Sequence, residues 1–231
     1  MRIPLTKYGW PEVVVFPAIQ LMAMVIVLLA RPRSSSVWGI IVVESILAAV
    51  LLWTVSFFRD PERTVPADKN LLLAPADGKI TDIEVVQELD YIKGSALRIG
   101  VFLSIFDVHI NRAPCNVRVE KITCKKGGYK NAMNPDAGRV NESNDLHLIR
   151  TDSPNDRLIV RQICGAIARR IVCEAGEGQE LTCGQRFGMI KFGSRTELYV
   201  PARKDVKCLI KIGDKVKAGL SPLVKYQLCQ D

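Results

Sequence analysis

The sequence has few of the residues that most often carry catalysis and cofactor binding. It contains two histidines, His109 and His147, so a mechanism based on histidine must use one of them. Its seven cysteines are an odd number without a C-x-x-C pair, which argues against a full disulfide framework and against a zinc site. We therefore expect no metal, and scattered thiols fit a reducing cytoplasm.

Aromatic residues are also scarce, at 6% of the chain, although the formal net charge is +8. A basic chain often binds nucleic acid, but no basic stripe interleaved with aromatic residues occurs here. We expect no nucleic-acid partner. The excess of Lys and Arg instead fits an anionic membrane surface, where each nearby cation contributes about 1 kcal/mol.

Charge is nearly absent from two long stretches close to the N-terminus. Residues 13–30 carry no charge and residues 37–58 carry only Glu44, and each stretch approaches the roughly 20 residues that span a bilayer core. We predict that residues 1–60 form a membrane hairpin of two helices, either spanning or re-entrant. The alternative is a pair of buried core helices. Residues 61–231 then form the second domain.

Tryptophans and basic residues mark the ends of this hairpin. Trp10, Trp38 and Trp53 fall at or near the ends of the apolar runs, where amphipathic rings favour the membrane interface. The outer flanks carry Arg2, Lys7, Arg59, Arg63 and Lys69, against Arg31 and Arg33 in the connecting loop. The positive-inside bias predicts that both ends and the large domain lie on the cytoplasmic side of the cell (inner) membrane.

From about residue 71 the signals are short strands and turns, which predict a mainly β, β-rich α+β domain. The segment "LLLAPADGKITDIEVV" indicates a strand, a turn and a strand, and residues 125–145 indicate a long polar loop. Residues 166–171 fit either a short helix or a strand. The stretches 178–184 and 213–219 share a pattern bounded by glycines, which suits sharp hairpins of a lipoyl-like barrel-sandwich.

Three residues at predicted turns or strand ends could act together. Asp77, His109 and Ser194 could supply an orienting acid, a base and an activated hydroxyl. Each also has a structural interpretation, because Asp before Gly favours turns, a lone histidine is often half-buried, and Ser194 could be a hairpin residue. His147 we interpret as structural.

The order of several motifs is similar to that of phosphatidylserine decarboxylase proenzymes, in their short, membrane-anchored bacterial branch. The resemblance rests on "FFRDPER" after the apolar runs, "PADGKI", "FLSIFDVHINRAP", "GAIARRIVC" and "GQRFGMIKFGSRTELYVP". Each motif is unspecific alone, but their order and spacing together are highly specific and cover nearly the whole chain.

The resemblance implies that the chain cuts itself between Gly193 and Ser194. The Ser194 hydroxyl would attack the Gly193 carbonyl, and an elimination would then leave a β chain of residues 1–193 and an α chain of residues 194–231. Ser194 would become a covalent pyruvoyl group that forms a Schiff base with phosphatidylserine, which releases carbon dioxide and phosphatidylethanolamine. His109 would be the base and Asp77 would orient it.

The sequence departs from the family pattern at the cleavage site, after the first histidine and in a third motif. Arg195 follows Ser194 where many longer relatives have threonine, and Arg112 stands where they have a second histidine. Asn141 and Glu142 match the family's Asn-Glu-Arg motif, in which Ser143 replaces the arginine. By the resemblance, Arg112, Asn141 and Glu142 would bind substrate, and a lipid phosphate would meet one of Arg112, Arg139 or Arg150.

Two other classes of function compete with the decarboxylase. A lipoyl-like carrier or export adaptor without catalysis would share the hairpins, but no "MKM" or "DKA" lysine motif and no long heptad pattern occurs. An inactive paralogue or an enzyme for an ether lipid would share the motifs. The two cleavage chains would form a heterodimer, and a higher homo-oligomer is left open.

Overall fold

A computed structural model of the protein describes residues 5–30, 36–134, 137–166, 170–191 and 193–227. The chain divides into two compact units, Met1–Glu62 and Arg63–Asp231. The loop predicted to connect the two apolar runs falls almost entirely on residues 31–35, which lie outside the described residues.

The first unit is a pair of apolar helices. A single 3-10 turn at Lys7–Gly9 precedes helix α1 (Glu12–Leu29) and helix α2 (Val37–Phe57), and both helices are long and apolar enough to cross a membrane. None of the α1 residues is buried, whereas a core helix would bury one face. The predicted helical hairpin is thus confirmed as an element of the fold.

One polar contact joins the two helices of the hairpin. The side-chain amide of Gln20 in α1 donates to the Thr54 hydroxyl of α2 at 3.0 Å, and that hydroxyl donates to the Val50 carbonyl at 2.9 Å. Polar side chains of this kind hydrogen-bond across helices where lipid supplies no alternative partner.

The second unit consists of short β-strands and one single-turn helix. In chain order the strands are β1 Leu71–Leu73, β2 Gly78–Glu88, β3 Gly94–Leu103, β4 Ile110–Arg112, β5 Val117–Lys125, β6 Ser143–Arg150, β7 Arg157–Cys164, β8 Arg170–Cys173, β9 Glu180–Leu181, β10 Arg186–Lys191, β11 Ser194–Pro201, β12 Val206–Cys208, β13 Lys215–Val216 and β14 Pro222–Tyr226. Helix α3, Ala137–Val140, lies in the loop between β5 and β6. The mainly β class is confirmed.

The strands form three antiparallel sheets. The largest has the order β13-β2-β3-β11-β7-β6-β5-β9, and two three-stranded sheets have the orders β1-β14-β12 and β4-β10-β8. Apolar side chains such as Ile99, Val101, Leu146, Val160 and Leu198 fill the core. Strand β11 lies between β3 and β7, so hydrogen bonds hold it on both edges.

The two glycine-bounded repeats are equivalent turns that meet. Gly184 and Gly219 both have positive φ, at 75° and 69°, as the predicted sharp turns require. A Cβ built on Gly219 would lie 3.3 Å from the Cα of Gly184, so the two turns pack against each other.

The segment that fitted either a helix or a strand is flanked by strands. Strand β7 ends at Cys164 and β8 begins at Arg170, so the described part of this segment includes no helix. Residues 167–169 lie outside the described residues.

Candidate active site

Ser194 is the first residue of β11, and the two neighbouring strands hold it in place. It pairs with Leu103 of β3 and with Cys164 of β7, and its side chain is fully buried. Its Oγ atom has no hydrogen-bond partner in the part of the chain that the structure describes. Because buried hydroxyls in proteins nearly always have a partner, this one requires an explanation such as a catalytic role.

Gly193 forms the corner between β10 and β11. Its φ of 65° lies in the left-handed region that favours glycine. Gly165 packs so closely that a Cβ there would overlap the Gly193 carbonyl oxygen. The bond between residues 193 and 194 is therefore in a tight corner, with the buried hydroxyl on its second residue. Phe192 lies outside the described residues.

His109 is fully buried directly before β4. Its Nδ1 atom is 3.0 Å from the backbone carbonyl oxygen of Asp107. Because a carbonyl only accepts hydrogen bonds, this contact requires a proton on Nδ1. The Nε2 atom of the neutral ring then carries the lone pair that a general base uses.

Two stretches of chain bring Ser194 and His109 to the same end of the sheet. From Leu103, the partner of Ser194, the chain passes through one turn to His109. From Ile190, whose N–H donates to the His109 carbonyl at 3.3 Å, it passes through Gly193 to Ser194. The imidazole and the hydroxyl are not hydrogen-bonded to each other in this arrangement, since the described residues give Ser194 Oγ no partner.

Asp77 pairs with an arginine. Its carboxylate accepts two hydrogen bonds from the Arg63 guanidinium, at 2.6 and 2.8 Å, and a third from the Ala218 N–H at 2.8 Å. None of these bonds involves His109, whose Nδ1 faces the Asp107 carbonyl. The orienting role of Asp77 toward His109 therefore stays a prediction.

A cavity of about 280 Å³ opens beside the Gly193 corner. Its lining is mostly apolar and comes from the end of β3, the turn after it and the loop between β5 and β6. The lining residues other than Gly193 are Phe102, Ser104, Ile105, Asn131, Ala132 and Ala166. Gly193 therefore lines a cavity whose mostly apolar walls suit a ligand with apolar groups.

Sequence comparisons decide the family. Residues 50–223 match the family model for phosphatidylserine decarboxylase. The chain belongs to this family.

Relatives from several bacteria agree over most of the chain. The phosphatidylserine decarboxylase proenzyme of Rhodopirellula baltica is 36% identical over 97% of this chain and 89% of its own length. That of Symbiobacterium thermophilum is 38% identical over 95% of this chain and 94% of its own length. That of Carboxydothermus hydrogenoformans is 43% identical over 74% of this chain and 79% of its own length. These matches support the decarboxylase interpretation and give the carrier interpretation no support.

Arg112 is the first of the residues that we predicted to bind substrate in a phosphatidylserine decarboxylase. Its side chain is buried and donates to the Gly184 carbonyl at 3.1 Å. Arg150 is fully buried as well, donates to the carbonyls of Lys69, Ser153 and Pro154, and packs on the Tyr226 ring. Arg139 is the exposed member of the three arginines that we considered for a lipid phosphate.

Asn141 organises the loop that covers the site. Its amide donates to the carbonyls of Lys130 and Cys164, at 2.8 and 2.7 Å, and its oxygen accepts from the Lys130 N–H at 2.8 Å. Both of its N–H donors are therefore used. Glu142 is half-buried and accepts from the Tyr129 hydroxyl at 2.8 Å. Direct contact of either residue with substrate stays a prediction.

A buried polar chain next to the site escaped the sequence reasoning. Asn111 is fully buried, donates to the Thr196 hydroxyl at 3.1 Å and accepts from the Gln162 amide at 2.9 Å. It lies two residues after His109, and Thr196 lies two residues after Ser194. Asn111 thus ties the strand of the histidine to the strand of the serine. An asparagine directly after Ile110 in "VHINRAP" was the available signal.

Arg195 carries a second buried network that the sequence did not reveal. Its fully buried guanidinium contacts Asp82 at 2.6 Å, Glu197 at 2.8 Å and the Thr81 hydroxyl at 2.7 Å. Burial lowers the pKa of Arg195, but the Glu197 and Asp82 carboxylates outweigh it and raise that pKa. The guanidinium is therefore a permanent positive charge held by two carboxylates.

The second histidine is in a different environment. His147 is half-buried, packs edge-on against the Tyr91 ring and lies 3.3 Å through Nε2 from the Thr123 hydroxyl. Burial lowers its pKa. The described residues include no group of three or more His, Cys, Asp or Glu that could hold a metal ion.

Proposed function

We propose that this chain is a phosphatidylserine decarboxylase that cleaves its own Gly193–Ser194 bond to make a covalent pyruvoyl group. The observation that carries the proposal is the buried Ser194 hydroxyl without a described partner, next to a left-handed glycine corner. An unsatisfied buried hydroxyl is unusual in proteins, and a catalytic role is one explanation for it. The state of the Ser194 hydroxyl therefore fits the conversion of Ser194 to a pyruvoyl group.

The cleavage uses three groups of this chain. The Oγ atom of Ser194 attacks the Gly193 carbonyl carbon as His109 Nε2 takes the hydroxyl proton. The C–N bond breaks as that proton passes to the Ser194 nitrogen, which leaves an ester and a free amine. Loss of the Ser194 Cα proton and of the Cβ–O bond then releases the Gly193 carboxylate. Water converts the remaining dehydroalanine to a ketone and ammonia. The left-handed corner lets the hydroxyl reach back to the carbonyl.

The resulting group fits the residues around it. A pyruvoyl group supplies a ketone that binds an amine and accepts the electron pair left when carbon dioxide departs. Residues 194–201 of β11 hold it at a strand end paired to β3 and β7. Once its Nε2 has also taken up a proton from water, His109 can deliver that proton to the reacting carbon.

The substrate is taken from a membrane in this proposal. The two apolar helices support a location in the cell membrane, and the basic flanks favour a catalytic unit on its cytoplasmic side. The six described cysteines are free thiols, which fits that compartment. The cavity at Gly193 accepts phosphatidylserine, and the two cleavage chains remain together through the strand pairs of β11.

Intact-mass analysis of the purified protein tests the proposal. We expect two chains, residues 1–193 and 194–231, and the smaller chain should lack a free amino end and react with a carbonyl reagent. Purified protein that decarboxylates phosphatidylserine as a single uncleaved chain would contradict self-cleavage. Cleaved protein without turnover of any serine lipid would contradict the activity.

A further inference from the structure

Two exposed apolar side chains directly follow residues that line the cavity at Gly193. The lining includes Ser104 and Ile105 from one turn and Asn131 and Ala132 from another. The next residue after each pair is Phe106, which is 68% exposed, or Met133, which is 58% exposed. Each apolar side chain is therefore exposed one residue beyond the cavity lining.

Hydrogen-bonded turns hold both of these side chains outward. In the first turn the Ser104 N–H donates to the Asp107 carboxylate at 2.8 Å and the Asp107 N–H donates to the Ser104 carbonyl at 2.8 Å. In the second, the Met133 N–H donates to the Asn131 side-chain oxygen at 3.0 Å and the Asn134 N–H donates to the Asn131 carbonyl at 3.1 Å.

The two turns are built alike. Each presents an apolar residue at its third position, and each is fixed by its own backbone and polar side chains. Large apolar side chains exposed on a fixed frame beside a cavity are typical of an interaction surface.

The loop that carries Met133 is mainly positive. Residues 125–142 contain four cations, Lys125, Lys126, Lys130 and Arg139, against two acids in the sequence. All four cations are exposed. A surface that combines apolar tips with surplus cations complements an anionic lipid surface, in which the tips enter the acyl boundary and the cations meet phosphates.

We infer that Phe106, Met133, Lys126 and Lys130 form a bilayer-docking rim that seats the cavity of the catalytic unit on an anionic phospholipid surface. The inference rests on the proposed function, because a lipid substrate must enter this cavity from a bilayer. The rim acts in addition to the two apolar helices. Its occupant is the lipid surface, and a protein partner is the competing outcome of the test.

Fluorescence quenching by brominated lipids tests the rim directly in the full chain. The native tryptophans are all in the helical unit, so Trp10, Trp38 and Trp53 are replaced by Phe, and Phe106→Trp places one reporter on the rim. Leu89→Trp is the matched control, since Leu89 is 74% exposed at the opposite end of the β2–β3 hairpin. Ser194→Ala is added to both, so the readout requires neither cleavage nor turnover.

In vesicles of phosphatidylglycerol and brominated phosphatidylcholine, we expect Phe106→Trp to lose several times more emission than Leu89→Trp. Equal quenching of the two reporters, in protein that sediments with the vesicles, would contradict contact between the rim and the bilayer. It would indicate that water or a protein partner contacts this surface instead. Because the reporters are uncleaved, this result is independent of whether the proposed function holds.

Turnover of two forms of substrate provides the second test. Removal of a rim cation by Lys126→Gln or Lys130→Gln should lower turnover at limiting bilayer substrate by about fivefold each, which corresponds to about 1 kcal/mol per cation. Turnover of a short-chain, monomeric phosphatidylserine should be unchanged. Lys207→Gln and Lys211→Gln, exposed elsewhere in the unit, are the controls. Equal loss with both substrates, or equal loss in the controls, would overturn the rim.

Discussion

Ser194 and Arg195 are adjacent on one strand and both are fully buried, yet their side chains have opposite environments. The Ser194 hydroxyl has no hydrogen-bond partner among the described residues, whereas the Arg195 guanidinium contacts Asp82, Glu197 and Thr81. Successive side chains of a strand point to opposite faces of the sheet. One face of β11 therefore carries a buried polar network, and the other carries a buried hydroxyl to which the described residues give no partner.

If Ser194 reacts as we propose, the difference indicates how a strand can position a reactive side chain without hydrogen-bonding it. Ser194 is positioned by the backbone pairs with Leu103 and Cys164 and by the anchored residue after it. An unpaired buried hydroxyl costs about 1–3 kcal/mol, and the contacts on the other face can offset a cost of that size. We call Ser194 with its proposed partners Gly193 and His109 the reactive face, and Arg195 with Asp82 and Glu197 the anchoring face.

The largest effect is expected from Ser194→Ala. Cleavage and turnover should fall to background, because no hydroxyl remains to attack the Gly193 carbonyl. In an uncleaved His109→Gln background, which keeps the serine, adding Ser194→Ala should leave the thermal midpoint in detergent equal or raise it, since no described hydrogen bond is lost and an unpaired buried hydroxyl is removed. Intact mass and a thermal melt measure the two results.

Thr196→Ala is the matched control for that stability measurement. It removes a buried hydroxyl of the same strand face that does accept a hydrogen bond, from Asn111 at 3.1 Å. We expect it to lose about 1–3 kcal/mol of stability, because Asn111 loses a partner. A stability loss from Ser194→Ala as large as that from Thr196→Ala would show that the serine hydroxyl has a structural partner.

The next largest effect is expected from His109→Gln on the reactive face. Removal of a general base typically slows a reaction by about 10² to 10⁴-fold, and the rate of self-cleavage should fall within this range. His147→Gln is the control and should leave cleavage unchanged, because His147 packs against Tyr91. The appearance of the 194–231 chain over time measures both, and normal cleavage in His109→Gln would reject the role of base.

The reactive face was more predictable from the sequence than the anchoring face. Gly193, Ser194 and His109 belong to short motifs whose order along the chain is specific. His109 follows β3, and Gly193 and Ser194 follow β10. These residues come close together if β3 and β10 end near each other. The apolar hairpin was also predictable, because length and the absence of charge suffice to indicate two long apolar helices.

The anchoring face depends on pairs that are far apart in sequence. "SRTELYV" begins with four consecutive polar residues, Ser194 to Glu197, a composition that predicts an exposed segment. In the structure the whole of Ser194–Val200 is buried, and Gly138 of the covering loop packs against the Glu197 carboxylate. No local pattern indicates that a loop some sixty residues earlier covers Glu197. Partners such as Asp82 for Arg195 therefore emerge only with the fold.

Arg195→Met should have the next effect, on stability. Removal of the guanidinium leaves Asp82 and Glu197 as buried, uncompensated carboxylates, which costs about 4–5 kcal/mol. Arg203→Met is the control, because the Arg203 side chain is 40% exposed and its pairs with Asp156 and Asp205 should contribute about 1 kcal/mol or less. Thermal melts of both variants in the uncleaved Ser194→Ala background measure the difference. Equal losses would show that the buried cluster does not anchor β11.

The smallest effect is expected from Asp77→Asn. This variant tests whether the Asp77 carboxylate only stabilises the fold through Arg63 or also orients His109. Asp77→Asn and Arg63→Gln both break the same buried pair, so each should lower stability by about 3 kcal/mol.

The orienting role of Asp77 adds a requirement, namely that Asp77→Asn slow self-cleavage more than Arg63→Gln does. Cleavage rates measured under conditions where both variants are folded decide between the two roles. If the two rates are equal, Asp77 contributes only through Arg63 and the Ala218 turn, and the Asp107 carbonyl alone sets the tautomer of His109. The reactive face would then consist of Ser194, Gly193 and His109 without a carboxylate.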